Sequence, residues 1–167
     1  MPKIDIANLE TDSKTGYPEP FRQIVLGRVR KRLGNAAGLT QFGVNLTTLK
    51  PGAASAQRHW HAAEDEFVYL LAGEVVLCED GGEVVMGPGD AAGFKAGVAN
   101  GHCLINRSEN DAIYLRSAPA RPASAPSIRI LICARSATKA ACVICTNPAN
   151  LIGARSDSSG AHPTSGP

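Results

Sequence analysis

His59, Trp60 and His61 place two imidazoles one residue apart, Glu66 follows, and His102 stands further along the chain. Side chains alternate along a strand, so His59 and His61 share a face if that segment is extended. Neutral imidazole is the commonest ligand of zinc, copper, iron and nickel, and a carboxylate widens the choice to manganese. Three imidazoles and one carboxylate on rigid strands would hold a divalent metal and leave coordination positions open. All the histidines before Tyr114 belong to this set; the remaining one, His162, lies in a tail of different composition. Glu64 and Asp65 compete with Glu66 for the carboxylate role. They fall in a turn-like stretch, where a solvated acidic face is the ordinary reading.

The elements that must position these residues read as short strands. Phe21 to Arg32 alternates in part and reads as a strand, and Gly34 to Gly38 as a turn or short helix. Gln41 to Leu49 alternates Phe42, Val44 and Leu46. Residues 56–61 carry the first ligands, Glu66 to Leu71 the third, and Ala72-Gly73-Glu74 makes a tight turn before Val75 to Glu79. Asp80-Gly81-Gly82 is a hairpin signal. Glu83 to Met86, Asp90 to Phe94, Gly101 to Asn106 and Ala112 to Leu115 continue the series. Short strands separated by Gly, Pro and Asp argue an all-β barrel or sandwich. There is no internal repeat and no long helical pattern.

The flanking residues add a resemblance. Pro51-Gly52, His59, His61, Glu66 and Gly73, then Gly87-Pro88-Gly89-Asp90, Gly97, His102 and Asn106, resemble the two motifs of the cupin superfamily, over roughly residues 40–116. The first motif has its His, His, Glu and Gly at family spacing, with Gly52 one residue early. The second departs from pattern: Lys95 replaces a proline, and Asn100 stands where a histidine is expected. His102 comes two residues later, on the same face of a strand. The resemblance implies a double-stranded β-helix (jelly-roll) barrel whose metal ligands are His59, His61, Glu66 and His102. The implied cofactor is a divalent ion such as Mn, Fe, Ni or Zn. It also implies an N-terminal arm, residues 1–30, that pairs with a second subunit, hence a homodimer. The barrel proper is placed at residues 31–116.

Residues 117–167 read as a low-order tail. Residues 1–116 carry 12 basic and 14 acidic side chains, net −2; residues 117–167 carry 5 basic and 1 acidic, net +4. All eight aromatic residues lie at or before Tyr114, while six of the eleven prolines lie after residue 116. Such composition is that of an irregular tail. It also fits translation out of frame. One G restored after a CTG codon for Leu115 makes the message read Leu-Glu-Ile-Gly-Thr-Arg, and synonymous codons carry it into an ending that looks like the one usual in this cupin group. On that reading the barrel lacks a strand-and-turn ending, which would leave an exposed sheet edge beyond Ala112–Leu115. Cys142-x2-Cys145 is then accidental.

Function is bounded more loosely. No apolar run approaches the ~20 residues needed to span a bilayer, and Met1 to Asp5 begins no signal-peptide core. Cys78 and Cys103 suggest no disulfide framework, which fits the cytoplasm. Arg28, Arg30, Lys31 and Arg32 lack the pattern of a nucleic-acid binder. A metal-dependent enzyme of oxygenase, decarboxylase or isomerase type, acting on a small oxygen-rich substrate, is one expectation. A non-catalytic small-molecule binding or sensing module is another, and a metal-free structural barrel a third. Trp60 and Arg58 alternate away from the histidines and read as packing. No separate acid–base residue selects among the chemistries.

Overall fold

A computed structural model describes residues 3–119 in full, and the backbone of 130–136 and 139–145. Eleven strands are seen among the described residues. They are β1 (Arg28–Arg32), β2 (Phe42–Leu49), β3 (His59–His61), β4 (Glu66–Ala72), β5 (Val75–Glu79), β6 (Gly82–Met86), β7 (Ala91–Phe94), β8 (Cys103–Ile105), β9 (Ala112–Pro119), β10 (Ile130–Ser136) and β11 (Lys139–Cys145). Helical structure is confined to a 3-10 turn at Gln23–Val25 and one turn of α-helix at Leu33–Ala36. No helix among the described residues is long and apolar enough to cross a membrane.

One layer is a five-stranded antiparallel sheet in the order β1-β2-β9-β4-β7. The other consists of β11-β10-β3 and β6-β5-β8, and an isolated bridge between His59 and His102 joins β3 to the start of β8. This is the all-β jelly roll expected from the sequence. Alternation decides which side chains enter it. In β4, Glu66, Val68 and Leu70 are buried while Phe67, Tyr69 and Leu71 face outward. Leu49, Val68, Leu70, Ala112 and Tyr114 from the five-stranded sheet pack against Val75, Leu77, Met86 and Leu104 from the other layer. Each fully buried aliphatic side chain of this kind contributes about 1.5–3 kcal/mol, so this cluster carries the fold.

Two residues act as pins. Gly73 has φ +73°, and a Cβ there would meet the Asp111 carbonyl oxygen at 2.4 Å, so only glycine fits the turn between β4 and β5. Asn106 is fully buried; its Nδ2 donates to the carbonyls of Leu49 (2.8 Å) and Asn110 (2.7 Å), and its Oδ1 accepts from the amide and hydroxyl of Ser108. It thus ties the end of β8 to β2 and to the turn before β9.

The structure departs from the sequence reading in three places. The Phe21–Arg32 segment is a strand only from Arg28, because the 3-10 turn takes up its first half. That strand crosses the arm boundary at residue 30, and Asp12 bridges to Arg30 of the same chain. The segment beyond Ala112–Leu115 is not a sheet edge: β9 runs on to Pro119 and lies between β2 and β4, hydrogen-bonded on both sides. Residues 117–167, read as an irregular tail, contain β10 and β11, which pair as a hairpin; Ile130 to Ile132 pair with His61 to His59. The β-branched residues Ile130, Ile132, Val143 and Ile144 supply local strand preference there. Residues 120–129, 137–138 and 146–167 lie outside the described residues, as do the side chains of Cys142 and Cys145.

Candidate metal centre

Two of the ligand candidates sit on β3, where alternation buries His59 and His61 and leaves Trp60 half-buried between them. His102 faces His59 across the bridge that joins the layer: the His102 amide donates to the His59 carbonyl at 2.8 Å, and the His59 amide returns the bond at 3.2 Å. Glu66 comes from the opposite layer, as the first residue of β4. The four side chains meet in the barrel interior, with one potential ligand atom from each lying within 4.8 Å of the others. All four are less than 10 % exposed.

The contacts fix how the donors point. His59 Nδ1 lies 2.7 Å from the Gln57 carbonyl oxygen, which can only accept, so Nδ1 carries the proton. The lone pair of a neutral His59 is therefore on Nε2, 3.2 Å from His61 Nε2. His61 Nε2 is in turn 3.1 Å from Glu66 Oε2. Two imidazole nitrogens and a carboxylate oxygen converging in this way need a cation or a shared proton among them. His102 is held from one side by Phe94, whose ring stacks on it at 3.6 Å with 4° between the planes. Neither ring nitrogen of His102 has a hydrogen-bond partner, nor does His61 Nδ1, although all three are buried. An orphaned buried nitrogen costs about 1–3 kcal/mol. A metal ligated here would remove part of that cost, so the residues present fit a divalent ion.

The electrostatics point the same way. Burial, aided by the neighbouring His61, pushes His59 down from 6.5 to about 4, and burial also lowers His102. Both rings are therefore neutral, the ligating form, at neutral pH. Burial alone would raise the Glu66 carboxyl, but hydrogen bonds from His61 and Arg116 override it and hold it well below the usual carboxylate range. Arg116 extends from β9 and donates to Glu66 Oε2, the oxygen that also faces His61.

A cavity of about 180 Å³ opens beside the cluster, with His61 and His102 in its wall. Trp60, Phe94, Lys95, Glu79 and Asn100 also line it. Trp60 therefore contributes to the pocket as well as to packing, which its alternation alone did not show. Asn100, placed by the motif at a ligand position, is used otherwise: its Oδ1 accepts from the Asp80 amide at 2.9 Å and its Nδ2 donates to Glu79 Oε1 at 3.0 Å. Glu64 and Asp65 stay outside the cluster; the Asp65 carboxylate accepts from the Ala96 amide. Arg58 faces away as expected, donating to the Gly101 carbonyl and pairing with Asp80. Cys103 is a buried free thiol, raised to about 12 by burial and by Cys78 beside it. Sequence reasoning did not find Phe94, Glu79 or Arg116, because their places at the site depend on strand register rather than on motif spacing.

Comparison with known proteins places these features in a wider group. The family model described as a cupin domain matches residues 45–116. The crystal structure of a sugar phosphate isomerase from a cupin superfamily, from Silicibacter pomeroyi, shares 38% identity and a TM-score of 0.72, covering 86% of this chain and 92% of that one. A protein provisionally assigned as a sugar phosphate isomerase, from Acidithiobacillus ferrooxidans, shares 25% identity with a TM-score of 0.56, over 78% of this chain and 84% of that one. The polyketide cyclase RemF from Streptomyces resistomycificus has the same fold at 18% identity and a TM-score of 0.61, over 78% and 84% of the two chains. No curated protein matches the sequence.

Proposed function

The chain belongs to the cupin superfamily, and from that premise we propose that it binds a divalent metal through His59, His61, Glu66 and His102 and isomerises a small oxygen-rich substrate of the sugar phosphate class. The observation that carries the metal reading is the buried four-donor cluster with its unpartnered histidine nitrogens. The isomerase branch, rather than oxygenase or decarboxylase, is favoured by the 38% identity to a structure bearing that description.

A divalent ion held there supplies a Lewis acid for a substrate oxygen. The chain's own residues supply the rest. Lys95, at the exposed side of the cavity, offers a cation to a phosphate group. Glu79 stands in the cavity wall with Oε1 held by Asn100, so its carboxylate is placed to take and return a proton. Phe94 keeps the His102 ring in one orientation and closes the cavity floor with an apolar face.

The homodimer is part of this proposal, as is a cytoplasmic setting. Phe67, Tyr69 and Leu71 stand 49, 39 and 43% exposed on the outer face of the five-stranded sheet. An apolar stripe of that kind suits a partner subunit; a monomeric mass in light scattering would remove the dimer. The central test is elemental analysis of protein purified without chelators or affinity-tag metal, followed by assay of the loaded protein against aldose and ketose phosphates. One equivalent of metal and turnover are expected. Absence of stoichiometric metal overturns the site. Metal and tight sugar phosphate binding without turnover would make the chain a binding module.

A further inference from the structure

Glu66 is shared. The same oxygen, Oε2, receives the guanidinium of Arg116 and faces His61 Nε2 at 3.1 Å. Arg116 is not a surface side chain that swings in by chance. Its backbone sits in the middle of the five-stranded sheet, in register with Val68 on β4 and Asn45 on β2. That register puts it on the inner face with Tyr114 and Ala112, one step along β9 from the core. Its side chain is 31% exposed against 8% for Glu66, and Glu64 adds a weaker attraction to the guanidinium. Two neighbouring arginines, Arg28 and Arg30, share that inner face through their pairing with Leu49 and Thr47 on β2, and each has an Nε that is buried without a partner. The flank of the site thus carries Arg28, Arg30, which is itself paired with Asp12, and Arg116, and the one carboxylate of the cluster is already paired with Arg116.

We infer that Arg116, as it stands in this chain, is a competitor of the metal: it occupies the ligand oxygen of Glu66 with a protein cation and sets the affinity of the site below what its three histidines and one carboxylate would otherwise give. The inference rests on the metal reading above. The physical reason is Coulombic. A dication seated among His59, His61 and Glu66 must share Glu66 with a guanidinium in direct contact with the same oxygen, in a buried setting where like charges are poorly screened. The arginine also satisfies Glu66 when no metal is present, so it stabilises the empty pocket and thereby raises the cost of filling it.

The test measures affinity for Mn(II) and Zn(II) alone by titration calorimetry on chelator-treated full-length protein, with thermal unfolding as a control for folding. Arg116→Gln is expected to bind metal about tenfold more tightly than the wild type, and Arg116→Lys, which keeps the charge, to stay near the wild-type value. Were Arg116 instead a positioning residue that helps metal binding by orienting Glu66, Arg116→Gln would bind more weakly, and that result overturns the inference. Equal affinities for all three proteins overturn it too. If Arg116→Gln does not fold, Arg116→Met keeps the packing stem and carries the same expectation. Failure of the wild type and every variant to bind metal removes the metal reading and this inference together; metal binding by the wild type with no gain in the neutral variants removes this inference alone.

Discussion

His59 and His102 are bridge partners, each donating its backbone amide to the other's carbonyl, with their ring centroids 5.1 Å apart. Residues directly opposite one another on antiparallel strands project to the same face. Fixing His59 inside the barrel therefore fixes His102 there as well, whatever the spacing of the second motif. Asn100 is spent on Asp80 and Glu79 instead.

His59→Ala or His61→Ala is accordingly expected to abolish stoichiometric metal, because each removes a donor nitrogen from the centre of the cluster. His102→Ala should weaken binding by at least about tenfold, the cost of losing a ligand outright. Asn100→Ala should leave metal content unchanged. Elemental analysis of the four proteins decides this. A larger loss in Asn100→Ala than in His102→Ala would mean that the ligand set is drawn wrongly.

Gly73→Val should destabilise the fold rather than empty the pocket, since its Cβ would run into the Asp111 carbonyl at a backbone conformation that side chains rarely adopt. Asn106→Ala should cost about 2–4 kcal/mol, because it leaves the Leu49 and Asn110 carbonyls without the donor they now share. Urea unfolding reads both. A Gly73→Val protein of wild-type stability that has lost its metal contradicts the structural assignment.

Acid should act through His59. Its folded value near 4 lies below the ordinary 6.5 because of burial and the adjacent His61. Between those values the unfolded chain binds more protons than the folded one, so stability falls as pH drops through the window from about 6.5 to about 4 and is fully present above it. The loss traceable to this residue is at most about 3 kcal/mol. Metal-free protein should show this slope in urea midpoints measured across the window, and His59→Gln should flatten it. An unchanged slope in the variant would place the acid sensitivity elsewhere.

The reading frame after Leu115 is open to a direct check. We propose that one G is missing there; gene sequencing shows the lesion or its absence, and an intact frame ends the idea. Restoring the G replaces Arg116 by glutamate and gives the chain an ending rich in turns. Because that change also removes the Arg116–Glu66 ion pair, the restored protein is compared with an Arg116→Glu variant of the present chain, over which it is expected to melt several degrees higher, the shift that about 1 kcal/mol produces in a domain of this size. Equal or lower melting would argue that the present ending is the better partner for the barrel.

Much of the fold was legible because its strands are short, alternating and punctuated. Phe42 to Leu49, Glu66 to Leu71 and Val75 to Glu79 emerge within a residue or so of where alternation places them. The two histidines of β3 and Glu66 were legible for the same reason. What period and spacing do not encode is which strand lies beside which. The role of Arg116 follows from β9 lying next to β4, and the seat of Phe94 against His102 from β7 closing the sheet beyond Glu66. The 130–145 hairpin was missed because its pairing with β3 offsets a weak local pattern, a tertiary effect that local composition does not carry.

Glu66 belongs to one sheet and the three histidines to the other. The donors therefore form a clasp across the sandwich rather than a pocket on one wall, and any ion they grip measures the gap between the layers. A metal whose preferred bond lengths suit that gap holds the sheets at their resting separation; a larger or smaller one must draw them in or push them apart. Selectivity among ions is thereby coupled to the stiffness of the apolar packing beneath, so that a cavity-forming change as remote as Leu70→Ala would alter which ion the site prefers as well as how firmly the barrel holds together.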